Sequence, residues 1–134
     1  MSGQALADAA RRLVGVRVAL HGRDPALGLD CVGVLAVALE HCGFRARWPA
    51  HYSLRGTHEA SIATVLAQLP LQRIKPQPCH PGDVLLLRPA PCQLHLAIAT
   101  APVRIVHAHL GLRRVVEAAL PTEWPLLGQF RIAS

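Results

Sequence analysis

The sequence predicts an α+β domain, with helices packed on one face of an antiparallel β-sheet. Two observations predict it. Up to about residue 70 the apolar residues recur at helical spacing, and from about residue 83 they fall into short runs with Gly or Pro between most of them. The 134 residues suit one domain, residues 1–134, with a single core.

The elements follow in order. ALADAARRLV, residues 5–14, places Leu6, Ala9, Ala10 and Leu13 on one helical face, and Gly15 is a suitable stop. HGRDPALGLD, residues 21–30, combines Gly22, Pro25 and Gly28 with polar residues and reads as a loop. CVGVLAVALEHCG is apolar on nearly every side, lacks proline and ends at Gly43. A buried strand competes for it, but its length favours a buried helix. THEASIATVLAQLP reads as an amphipathic helix capped by Thr57, with Ile62, Val65, Leu66 and Leu69 on one face and Pro70 at its end. PLQRIKPQPCHPGD, with four prolines, reads as a connection. GDVLLLRP, QLHLAIAT, VRIVHAHL and LRRVVEAAL read as strands. In QLHLAIAT, Leu94, Leu96 and Ile98 take one side and His95, Ala97 and Ala99 the other. LRRVVEAAL and the tail TEWPLLGQFRIAS either complete the sheet or meet a partner, with Trp124 marking an interface or a lid on the core.

Composition narrows the function. Residues are 51% hydrophobic and 16% charged, yet no apolar run is long enough to span a bilayer. The opening MSGQALADAARRLVGVRVAL carries an acid and three arginines where a signal peptide needs a basic start and a long apolar centre, so export on such a signal is not expected. Four cysteines, Cys31, Cys42, Cys79 and Cys92, lie far apart without a CxxC and are expected to be free thiols. The formal charge of +6 comes from scattered arginines without a basic run or interleaved aromatics, a poor match to a nucleic-acid binder. An anionic polymer or an acidic partner suits it better, and an ordinary solvated surface explains it equally well.

One constellation can do chemistry. Cys31 stands where the loop ends and the apolar helix begins, so unpaired N–H groups and the positive end of the helix dipole favour its thiolate. The same N–H groups, flanked by Asp30 and Val32, suit an oxyanion or a substrate. A thiol also needs a proton acceptor. Of eight histidines, His21, His41, His51, His58 and His80 fall in loops or at helix ends, where solvation or capping explains them. His95 and His107 lie inside apolar strands, where an unpaired ring is costly. Their spacing suits adjacent strands, with His95 as the base and His107 orienting it. Taken alone, Cys31 is more simply a buried core thiol. A zinc site of His95, His107 and His109 is the competing chemistry, but the sequence has no paired-cysteine spacing, and no metal is expected.

GLDCVG around Cys31, HPGDVLLL entering the sheet, LHLAI around His95 and IVHA around His107 stand in the order and at the distances of the NlpC-type cell-wall peptidases. Over roughly residues 8–120 the chain resembles these papain-like cysteine enzymes of bacteria and their phages. The resemblance implies a papain-like fold with Cys31 as nucleophile, His95 as base and His107 as third member, and no cofactor. His109 is then a rim residue of the cleft. It further implies hydrolysis of an amide in the peptidoglycan stem peptide, commonly between D-glutamate and a diamino acid. Val32 stands where many relatives have serine and Val18 where many have tyrosine, and the loop before Cys31 is about a residue longer than the common form. LHGRDP and GLDCVG without a signal look most like the small versions in tails of phages and gene-transfer agents. That implies synthesis in the bacterial cytoplasm and incorporation in a tail particle among tail or baseplate proteins. A non-catalytic tail adaptor and a thioester-using acyltransferase or amidase are the alternatives.

Overall fold

The computed structural model describes residues 1–48 and 59–133. Helix α1 spans Gly3–Arg11, with Ser2 as its N-cap accepting from the Ala5 N–H. A two-residue hairpin follows, β1 (Arg23–Asp24) against β2 (Gly28–Leu29), and leads straight into α2, Cys31–His41. Helix α3 covers Glu59–Ala67. Six strands then build one antiparallel sheet: β3 (Leu71–Ile74), β4 (Val84–Ala90), β5 (Gln93–Ala101), β6 (Arg104–His109), β7 (Arg114–Ala119) and β8 (Leu126–Ile132). Their spatial order is β3-β8-β4-β5-β6-β7.

The helices α1 and α2 pack on one face of this sheet, as the periodicity predicts. Every residue of α2 from Cys31 to Leu39 is buried, which explains why its sequence shows no polar face. Leu6, Ala10, Leu35 and Leu39 meet Leu86, Leu96, Ile98 and Val106 in the main core. Gly43 sits just past the helix at φ +86°, the left-handed C-terminal position that glycine fills without strain. The opposite face of the sheet carries a smaller apolar cluster of Cys79, Leu85, Leu87, Ala97, Ala99 and Ile105, covered in part by Leu120 and Trp124.

Two elements depart from the sequence prediction, and a third decides between its two readings of the tail. The loop before Cys31 contains the β1–β2 hairpin, too short to give any periodicity. The proline-rich connection contains β3, an edge strand whose two central residues are exposed, so it carries no apolar alternation. The tail completes the sheet rather than projecting from it: β8 inserts between β3 and β4, with Gln129 and Phe130 buried. Ile62, Leu66 and Leu69 are buried as expected, while the Thr57 cap, His51 and His58 lie outside the described residues.

A buried polar network ties the PGD turn to the tail. Asp83, fully buried, accepts from Arg131 Nε at 2.8 Å, from Gln129 Nε2 at 3.0 Å and from the His80 N–H at 3.0 Å. These hydrogen bonds and the Arg131 charge hold its carboxyl below the ordinary value against the upward push of burial.

Candidate active site

Cys31 is the first residue of α2, and Asp30 before it is the N-cap. The Asp30 carboxylate accepts from the Gly33 N–H at 2.7 Å and the His21 N–H at 3.0 Å, and from Arg23 at 3.1 Å. Asp30 is 4% exposed. It is thus occupied in closing the loop onto the helix, a positioning part rather than the substrate contact that the sequence suggests. Arg23 pairs with Asp30 rather than with Asp24, whose carboxylate instead accepts from the Ala26 N–H. Gly33 has a steric role: a Cβ there would strike the carbonyl oxygen of Gly22. The GLDCVG run therefore encodes a tight junction, with an apolar residue, a cap, the thiol and a close backbone crossing in succession.

The histidines arise from β5 and β6. Ala99 exchanges backbone hydrogen bonds with Asp83 and Gly82 on the β4 side, so by strand alternation the Leu96 N–H faces β6. The β5–β6 pairing includes Ala101–Arg104, Ala99–Ile105 and Ile98–Val106, and it does not reach His95 and His107. The strands part there, and the His95 and His107 rings occupy that end on the face carrying Trp124. Their nitrogens meet, His95 Nε2 to His107 Nδ1, at 2.8 Å. From the helix face the Cys31 sulfur reaches the Leu96 N–H, next to His95. The thiol thus lies on the helix face at the residue that follows His95, whose ring is on the other face of the sheet.

Burial dominates the electrostatics. His95 and His107 are 5% and 4% exposed. Desolvation, helped by the positive charges that His107 and His109 could carry, pushes His95 down to about 3. Desolvation and His109 push His107 down to about 4. The Cys31 thiol is pushed up to about 12, chiefly by desolvation and further by Asp30, against the opposing N–H groups of Leu96, Val32 and Cys31 itself. At neutral pH all three groups rest uncharged.

Trp124 stands edge-on to both imidazoles, with ring centroids 5.6 Å from each. It packs against the His95–His107 pair, a role that sequence reasoning left between interface and lid. His109 lies beyond, its ring centroid 5.7 Å from that of His107, and its Nδ1 accepts from the Leu112 N–H at 3.0 Å. It lines a cavity of about 220 Å³ together with His95, His107 and Trp124. Val32 is buried in the main core, so only its backbone is available to the site. Val18 is half-buried and bridges to Leu29. Among the described residues no cluster of three or more His, Cys, Asp or Glu could hold a metal ion.

The fold has close counterparts among solved structures. NlpC1 from Trichomonas vaginalis superposes with a TM-score of 0.74 at 18% identity, over 97% of this chain and 44% of that one. The NlpC/p60 domain of the peptidoglycan hydrolase SagA superposes with a TM-score of 0.67 at 19% identity, over the whole of both chains. This chain has the NlpC/P60 fold. An NLP/P60 family protein from Staphylococcus aureus, similar to a lipoprotein, gives a TM-score of 0.69 at 19% identity over 98% of this chain and 41% of that one. The chain therefore spans under half the length of NlpC1 and of the staphylococcal protein, and matches an isolated NlpC/P60 domain throughout. No protein-family model matches the sequence, and no curated protein sequence matches it significantly.

Proposed function

We propose that this chain is a cysteine peptidase that hydrolyses an amide bond in peptidoglycan stem peptides, with Cys31, His95 and His107 as its catalytic set. One observation carries the reading: Cys31 begins α2 with its sulfur toward the Leu96 N–H, and the neighbouring residue on β5, His95, is held in a buried pair with His107 at 2.8 Å. The NlpC/P60 fold supports it, since SagA, which shares that fold, is named a peptidoglycan hydrolase.

The proposed mechanism uses one tautomer of the pair. With His95 Nε2 engaged by His107, proton exchange with the thiol falls to His95 Nδ1. Neutral His95 then carries its proton on Nε2 and donates it to His107 Nδ1, so the acquired positive charge keeps a hydrogen-bond acceptor. Burial pushes the thiol up to about 12, so it rests protonated. The thiol proton therefore passes to His95 as the sulfur attacks the scissile carbonyl. The N–H groups of Cys31 and Val32, which lie against the sulfur, hold the developing oxyanion. His95 returns the proton to the leaving amine, and water, activated by the same imidazole, releases the acid from the thioester.

The bond cleaved is the one between D-glutamate and a diamino acid. The enzyme is made in the bacterial cytoplasm and acts from a phage-like or gene-transfer-agent tail, next to tail or baseplate proteins, opening the wall locally. The test incubates purified protein and its Cys31→Ala variant with peptidoglycan sacculi and identifies soluble products by mass spectrometry. Stem-peptide fragments from wild type alone are expected; identical products from both proteins would overturn the reading.

A further inference from the structure

At the free edge of β7 lies a cluster of positive charge that the proposed reaction does not use. Residues 15–18 run along the free edge of β7: the Gly15 N–H donates to the Val115 carbonyl at 2.8 Å, and the Val18 N–H donates to the Arg113 carbonyl at 3.1 Å. This pairing sets Arg17 opposite Arg114, with Arg113 next along the chain. The three arginines, with Val18 and Leu112, line a cavity of about 450 Å³. All three are exposed, and no carboxylate of the described residues pairs with them. By contrast, Arg11 and Arg104 share Glu117, Arg23 meets Asp30 and Arg131 meets Asp83.

Three guanidinium groups around one cavity repel one another, and an anion entering it relieves that repulsion. The cavity is tied to both halves of the candidate site. The Leu29 N–H donates to the Arg17 carbonyl at 2.8 Å, two residues before Cys31. On the other side, Leu112 is held by the ring of His109, the residue beyond His107 on β6. Both links join the arginines to segments that carry the candidate catalytic residues, Leu29 to the strand before Cys31 and His109 to the strand of His107.

We propose that Arg17, Arg113 and Arg114 form an anion subsite that holds a carboxylate of the peptide substrate near the scissile bond. The inference rests on the peptidase reading above and extends it to substrate choice. A D-glutamate joined through one carboxyl keeps the other free, and a guanidinium fork binds such a group bidentately where a neutral amide has one oxygen to offer.

The test reads binding, which is independent of cleavage. The full chain is titrated calorimetrically with two synthetic stem peptides that differ only in a free D-glutamate carboxylate or its carboxamide, and separately with glycerol phosphate. Wild type binds the carboxylate peptide about tenfold more tightly, a difference of about 1.4 kcal/mol. The R17Q/R113Q/R114Q variant binds both peptides alike with an unchanged melting curve. Should the triple variant fail to fold, R17Q and R114Q each lose part of the discrimination. Equal affinity of wild type for the two peptides overturns the subsite, as does a folded triple variant that keeps the preference. A loss confined to glycerol phosphate also overturns it and assigns the arginines to a phosphate-bearing wall polymer. A retained carboxylate preference without cleavage of either peptide supports the subsite while removing the peptidase reading.

Discussion

Acidification from about pH 7.5 to about pH 5 is expected to lower the protein's stability by about 4 kcal/mol, through two buried rings. In the unfolded chain His95 and His107 have the ordinary imidazole value of 6.5, whereas in the fold they are pushed down to about 3 and about 4. The sign follows from linkage: their folded values are depressed, so the stability they allow is fully present above about 6.5 and is lost as pH falls from there toward the folded values. At about pH 5 the unfolded chain binds both protons and the fold binds almost none. At about 1.4 kcal/mol per pH unit, each ring then costs about 2 kcal/mol and the pair about 4. Both rings are almost fully buried, so solvent screening does not reduce this figure. Asp83, whose depressed carboxyl contributes stability above 3.8 and loses it below, stays out of this window. Urea denaturation at the two pH values is the assay. With a slope of roughly 1.5 kcal/mol per molar, the midpoint falls by roughly 2.5 M. The H95Q/H107Q variant, whatever its absolute stability, shows a much smaller fall. A wild-type midpoint that moves by under about 0.5 M would refute the buried, neutral pair.

Three further outcomes follow from the same geometry. Replacing His107 with alanine lowers kcat/KM less than replacing His95, because His107 orients and stabilises the ring that moves the proton; steady-state cleavage of a stem peptide measures both. Trp124→Ala admits water to the His95–His107 bond, so both imidazoles rise toward 6.5 and the acid loss of stability shrinks, which NMR titration of the ring protons reads directly. Asp30→Ala removes the cap that joins the loop to α2 and costs about 1–2 kcal/mol in urea denaturation.

Much of the architecture was legible because the information was local. The uniform apolarity of residues 31–39 predicts a buried helix, and alternation in QLHLAIAT predicts which side His95 takes. The step from the polar loop to the apolar run puts a helix start at Cys31, and the structure begins α2 there with Asp30 as its cap. The proximity of His95 and His107 follows from spacing along antiparallel strands, and they do meet. The strands β3 and β8 were harder to see for different reasons. At the sheet edge β3 is only four residues long with Gln72 and Arg73 exposed at its centre, and the place of β8 between β3 and β4 depends on a chain reversal that no local pattern encodes.

Local pattern named the thiol, the imidazoles and the layers, since backbone periodicity and capping act over a few residues. The opening of β5 from β6 beside Leu96, the packing of Trp124 against the imidazoles, and the gathering of Arg17 with Arg113 and Arg114 belong to the folded molecule alone. Each joins segments distant along the chain, and their positions come from packing the whole sheet against α1 and α2 rather than from any single stretch of residues.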